Sequence, residues 1–120
     1  MGKGGKPPGS LLSRKRSNAS ILPSDVPQMA QILKDVDARH GYDFLRIEGC
    51  AAKTLVAIAR YRTINPDGAT ETRWATLYGR LEQGRSVWRF DSSGTSLDTQ
   101  IINTPTYAGT YFNSVRSRLE

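Results

Sequence analysis

The chain has 120 residues, the length of one domain, is 38% hydrophobic and carries a formal net charge of +6. Its single cysteine, Cys50, and single histidine, His40, exclude an intrachain disulfide and leave too few ligands for a zinc site of the usual kind. Lone-cysteine usage points to a reducing compartment, cytoplasm or nucleus. No apolar run reaches the ~18 residues of a membrane span, and the N-terminus lacks the apolar core of a secretory signal. Gly2 invites myristoylation, but Lys6 stands where that motif wants Ser or Thr.

Residues 1–20 stand apart. After Met1 they contain only Leu11, Leu12 and Ala19 as apolar side chains, with four glycines and two prolines. Such a segment cannot bury enough apolar area to offset its ordering entropy, so it reads as a disordered arm. Lys3, Lys6, Arg14, Lys15 and Arg16 give it +5 with no acid. The remaining hundred residues hold 12 basic and 11 acidic side chains, and ten of the basic ones are arginine. Arginine forks onto phosphate oxygens and stacks on planar rings, which lysine does less well.

The domain begins with a helix over 24–39. Ser24 is its expected N-cap, and Asp25 meets the positive end of the dipole. Pro27 is tolerated in the first turn. Val26, Met29, Ile32, Leu33 and Val36 recur at helical spacing, and Gly41 is the expected C-cap. Lys34, Asp35 and Arg39 form the solvated face. Strands follow over 42–48, 53–64, 71–81 and 86–91. The turn Asn65-Pro66-Asp67-Gly68 and a tight turn at 82–85 separate the last three. Residues 92–96 read as a loop and 97–102 as a further short strand. After the break at Thr104-Pro105, residues 106–119 read as a helix that turns Tyr107, Tyr111 and Val115, or Phe112, Val115 and Leu119, to the sheet. The fold class is α+β: a small antiparallel meander of three to five strands between two helices, arranged as a two-layer sandwich.

Pairing 64 with 71 and 80 with 87 sorts the sheet into two faces, because side chains alternate with period two. One collects Val56, Ile58, Leu77, Leu81, Trp88 and Phe90 under the helix stripe, with Gly79 opposite Trp88 and with Arg60, Arg62 and Arg73 at its open end. The other collects Leu55, Tyr61, Trp74, Tyr78, Arg80, Val87 and Arg89. Rings interleaved with guanidinium groups suit single-stranded RNA, whose bases stack on aromatics while arginines hold phosphates. The plainer reading is that the second helix or another subunit covers that face.

His40 with Asp43 and Glu48 is the only grouping that suggests acid–base chemistry; a histidine at a helix end more often meets the dipole and solvent. No catalytic triad, paired carboxylates or phosphate loop is present, so the chain reads as non-catalytic, without metal or cofactor. Cys50 reads as a small core residue. Ser13-Arg14-Lys15-Arg16-Ser17 is the sharpest local motif: three adjacent cations that suit phosphate gripping or nuclear import, with Ser17 a candidate phosphorylation site. A solvated tail is the plain alternative.

A short Gly/Lys/Arg arm before a compact domain resembles, in organisation, small viral nucleocapsid and matrix proteins and ribonucleoprotein subunits. That layout implies a non-catalytic nucleic-acid-binding or packaging protein, RNA favoured, acting in cytoplasm, nucleus or virion. The alternatives are a matrix-like homo-oligomer bound to acidic membrane through the arm at ~1 kcal/mol per cation, and a protein–protein adaptor.

Overall fold

In the computed structural model the described residues are 21–37, 41–50 and 54–120. The expected arm, the end of the first expected helix, His40 and the side chain of Cys50 lie outside them. A 3-10 turn, Pro23–Asp25, leads into helix α1, Val26–Val36. Four strands follow: β1, Gly41–Cys50; β2, Leu55–Ile64; β3, Thr70–Glu82; β4, Arg85–Gly94. Helices α2, Leu97–Ile102, and α3, Thr106–Ser114, and a 3-10 turn at Arg116–Arg118 close the chain. The sheet is antiparallel throughout, in the order β1-β2-β3-β4. No helix among the described residues is long and apolar enough to cross a membrane.

The meander and its flanking helices are as expected, but the helices lie on opposite faces, so the molecule has three layers instead of two. On one face α1 lays Met29 and Leu33, both fully buried, over Ala57, Ala59, Tyr61, Leu77 and Trp88. On the other, Leu97, Ile101, Ala108, Phe112 and Leu119 cover Val56 and Ile58. Gln100 seats α2 on this second face: its Oε1 accepts from Thr76 Oγ1 at 2.7 Å and from Ser92 Oγ at 3.0 Å, and Thr76 and Gln100 are buried. A satisfied buried amide of this kind fixes one docking position.

Three local expectations are corrected. Ser24 is not the N-cap; it lies inside the 3-10 turn, where Asp25 turns inward and accepts from Leu22 N at 3.2 Å. Gly41 opens β1 instead of capping the helix, which ends at Val36 with Asp37 as C-cap. Residues 97–102 are helix, not strand. Ser96 caps them, accepting from Thr99 N, and Asp98 sits in the first turn, so capping outweighs the β-branched content.

A fourth correction decides the site. Asn65 N donates to Ala69 O at 2.8 Å and closes a five-residue loop, so Ile64 pairs with Thr70 and not with residue 71. A one-residue slip exchanges the faces of every side chain on one strand relative to the next. Leu55 and Tyr61 therefore face α1, while Val56 and Ile58 face α2 and α3. The 83–84 turn behaves as expected. Gln83 and Gly84 both take positive φ, the conformation of a two-residue hairpin turn, and the register places Gly79 opposite Trp88 and Arg80 opposite Val87.

Gly79 is required by that indole. A Cβ there would sit 2.9 Å from Trp88 Cδ2 and Cε3. Gly79→Ala should cost ~1–3 kcal/mol as an overpacked contact, read as a lowered urea midpoint with unchanged slope. Leu33→Ala should cost ~2–5 kcal/mol by leaving a cavity.

Candidate polyanion-binding ribbon

β3 and β4 outrun the rest of the sheet. Leu55, the first residue of β2, pairs with Gly79, so beyond that point residues 80–82 and 85–87 pair only with each other. They form a two-stranded ribbon that overhangs the domain. Its α1 side is buttressed. Gln28 donates Nε2 to Ser86 O at 3.2 Å and accepts from Trp88 N at 2.6 Å, occupying the β4 edge as a neighbouring strand would. Its other side is bare, because α2 and α3 reach only as far as Tyr78.

That bare side carries Arg80, Glu82, Arg85, Val87 and Arg89, with Tyr78, half-buried against the α2/α3 cluster, at its base. Tyr78 pairs with Arg89, Arg80 with Val87 and Glu82 with Arg85. Arg85 and Arg89 are thus both diagonal neighbours of Arg80, with Cβ atoms about 7–8 Å from it in ordinary sheet geometry. The three guanidinium groups make a staggered row. Arg80, 73% exposed at the side chain, forms an ion pair with Glu82. Arg85 and Arg89 are exposed and make no hydrogen bond or ion pair among the described residues. At the base of the row Thr54, Tyr78, Gly79, Arg80, Val87 and Arg89 line a depression of about 270 Å³. That is just below the usual size of a small-molecule pocket. Thr54 N donates to Tyr107 Oη at 3.1 Å and closes the wall. The Tyr78 phenol is pushed up by burial, then by the charges of Asp91 and Tyr107, so it presents a neutral ring and a hydroxyl donor at physiological pH.

The structure divides the residues named from sequence. Lys3, Lys6, Arg14, Lys15, Arg16 and Ser17 lie outside the described residues. Tyr78, Arg80 and Arg89 come together on the ribbon. Tyr61 leaves the set: it is fully buried under α1 and donates to Asp37 Oδ2 at 2.7 Å. Arg73 is on the same face and is engaged by Glu71 at 3.0 Å, Ser93 Oγ at 3.3 Å and Tyr61 Oη at 3.4 Å. Arg60 and Arg62 are on the opposite face from Arg73, not grouped with it. Arg62 pairs with Asp43 at 3.0 Å, and Arg60 lies half-buried between Arg46 and Trp74 in the register. Trp74 is no open platform. Its Nε1 donates to Leu119 O at 2.8 Å, and it packs in the cluster that contains Leu119. Arg46, bonded to Arg118 O at 3.1 Å, and Arg118, 3.4 Å from Glu48, hold the same C-terminal segment down. Arg85 escapes a sequence reading because it looks like a turn residue. The register that pairs 80 with 87 also pairs 82 with 85, and that is the signal that finds it.

Two consequences are measurable. Trp74→Ala should destabilise the fold by about 2–3 kcal/mol, the lower end of the large-to-small range for a half-buried ring, and leave polyanion affinity within about twofold. The Tyr42 and Tyr61 phenols are both pushed up, burial first in each, then the charge of Tyr61 for Tyr42 and the hydrogen bond to Asp37 for Tyr61. Their folded values lie above the unfolded one, so the stability they contribute is complete below about pH 10 and is lost as pH rises beyond it. Tm should fall above pH 10, and Tyr61→Phe should flatten that fall.

Comparison with protein-family models, with curated proteins and with solved structures finds no match to this chain.

Proposed function

We propose that this protein binds single-stranded nucleic acid, RNA foremost, without catalysis, through the arginine row of the ribbon and the basic segment 1–20. One observation carries the reading: Arg85, Arg80 and Arg89 alternate along a bare ribbon face that ends on Tyr78 and a depression of about 270 Å³. The row grips successive phosphates of one strand, and the Tyr78 ring takes a base, the combination used by sequence-tolerant single-strand binders. The 12 basic and 11 acidic residues beyond the arm nearly cancel, so attraction is local to the ribbon and the arm. A packaging role in cytoplasm, nucleus or virion suits such a binder. Acidic membrane is the competing occupant. Cationic side chains serve both ligands, but an aromatic ring at the end of the row also stacks a base.

The test is a salt titration of affinity for oligouridylate, run beside vesicles containing phosphatidylserine. Replacing Arg80, Arg85 and Arg89 together by Ser should weaken RNA binding at least tenfold at low salt. It should also reduce the log–log salt slope by about 2, at ~0.7 for each phosphate no longer neutralised. Tyr78→Ala should lose ~1–3 kcal/mol of RNA affinity. Glu82→Gln should tighten RNA binding by releasing Arg80. Vesicle binding with no RNA binding would overturn the proposal, as would a triple variant with the wild-type slope.

A further inference from the structure

We infer that the end of the α2/α3 face remote from the ribbon carries a second anion site, built from Arg46, Arg60 and Arg62, which takes the dianionic phosphate of a phosphate monoester or of inorganic phosphate. The site is separate from the ribbon and does not depend on it. It starts from an irregularity in β1. From Gly41 to Phe44 that strand keeps one register with β2, and at Arg46 the register slips by one residue. Had the first register continued, Leu45 would oppose Arg60, and Arg46 would oppose Ala59 on the α1 face. The bulge instead sets Arg46 directly across from Arg60. Bulges interrupt the ladder and re-aim side chains, and they gather beside functional sites. What this one achieves is the pairing of two like charges, which is unfavourable in a bare sheet.

The surroundings complete a cradle. Arg60 is flanked by Arg46 on β1 and Trp74 on β3, and Arg62, in the next row, by Asp43 and Thr72. All six side chains leave the same side of the sheet. The Nε atoms of Arg60 and Arg62 are both buried without a hydrogen-bond partner, and Arg60 makes no hydrogen bond or ion pair at all among the described residues. Guanidinium donors withdrawn from water without an acceptor are costly, and an oxyanion seated on the row supplies acceptors to both. The nearby carbonyls are already engaged: Arg118 O accepts from Arg46 at 3.1 Å and Leu119 O from Trp74 Nε1 at 2.8 Å. The C-terminal segment thus walls one side. The other side is open, since Arg46 is exposed and the Arg62 and Asp43 side chains are 42% and 46% exposed. Charge selects the ligand. Three guanidinium groups face one carboxylate, Asp43, which answers Arg62 at 3.0 Å, and Glu48, the next acid on this face, is engaged by Arg118 and Tyr111. The surplus of two positive charges matches a phosphate monoester, which carries about −1.5 to −2 at neutral pH and accepts from forked donors. A phosphodiester, with one charge, matches it less well. Trp74 is six residues from Arg80 along β3, roughly 20 Å of strand, with α2 and α3 between, so one small anion cannot serve both sites.

Trp74 is a built-in reporter: it stands beside Arg60, whereas Trp88 is buried on the α1 face. The full chain is titrated with inorganic phosphate, and separately with glycerol phosphate, at an ionic strength held constant with potassium chloride. Tryptophan emission and Tm are followed together, because a ligand that binds only the folded state raises Tm. Saturable responses to phosphate and none to chloride are expected; diffuse attraction, which salt screens, does not saturate in this way. A matching response to the ester extends the site to phosphate carried on a larger molecule, and a response to inorganic phosphate alone assigns it to the free ion. Arg60→Gln should weaken binding about tenfold or more, the effect of one lost charge-assisted contact. Arg60→Lys keeps the charge and the fold but loses the fork, and should also bind more weakly. The Arg80/Arg85/Arg89→Ser variant should titrate as wild type. No saturable change in emission or Tm for wild type overturns the site, as does binding that survives both Arg60 substitutions or disappears in the ribbon variant.

Discussion

The amide of Gln28 ties the β3–β4 ribbon to helix α1. A two-stranded ribbon is marginal in water, because neither strand has a second neighbour and one face has nothing to bury against. Here β3 and β4 overhang the sheet, and Gln28 supplies what the missing strand would: a donor for Ser86 O and an acceptor for Trp88 N. It does so from the first turn of α1, the helix whose Met29 and Leu33 are sealed against the sheet. The same helix that makes the core thus stiffens the ribbon from behind. Gly79 completes the arrangement by letting the Trp88 indole lie flat across β3 at the root of the overhang. With the back held by α1, the front needs no cover, and that is why an exposed row of arginines can stand there without the ribbon fraying.

The arginines of the folded domain are sorted by this geometry. Of those over the sheet proper, Arg46, Arg62, Arg73 and Arg118 are engaged by protein partners, while Arg60 is half-buried with its Nε unpartnered. Arg73 ties β3 to Tyr61 and Ser93, Arg62 answers Asp43, and Arg46 and Arg118 fasten the C-terminal segment over the second face. Arg116 binds both Asp98 and Glu120. On the ribbon, by contrast, Arg85 and Arg89 meet no protein partner among the described residues. Composition alone does not separate these classes, since ten arginines look alike in a sequence.

The strongly patterned elements are readable from the residues: the Met29/Ile32/Leu33 stripe, the 82–85 turn with the pairing it dictates, and the Gly79–Trp88 contact. What fails depends on single-residue detail. An Asn-Pro-Asp-Gly turn states that the chain reverses but not whether Ala69 belongs to the loop, and that one residue moves Tyr61 from the supposed binding face to the core. Residues 97–102 carry β-branched side chains, yet Ser96 and the sheet surface waiting for Leu97 and Ile101 decide for helix. The shifts in register at Phe44/Arg46 and Thr76/Leu77 leave no mark in the pattern. Of the candidate binding face, Tyr78, Arg80 and Arg89 are recognisable because they belong to the hairpin whose turn chemistry is unambiguous. Trp74 is not, because what covers it comes from Leu119, 45 residues away.

Glu82 shows how the ribbon tolerates its own charge. Three arginines on diagonal positions repel one another, and like charges at cross-strand positions destabilise a hairpin. Glu82 stands opposite Arg85 and pairs with Arg80, so the lone carboxylate on this face touches two members of the row by register or by contact. It lowers the electrostatic cost of the unliganded ribbon, although an exposed pair of this kind stabilises by little in absolute terms. On the proposed reading a polyanion would have to displace the carboxylate from Arg80, while Arg85 and Arg89 would be open to it, so binding would begin at the two ends of the row and close on the middle. A short anion that meets one arginine gains little against that competitor. A polyanion that meets both ends first brings its central phosphate to Arg80 at high local concentration, which is the condition under which the exchange becomes favourable.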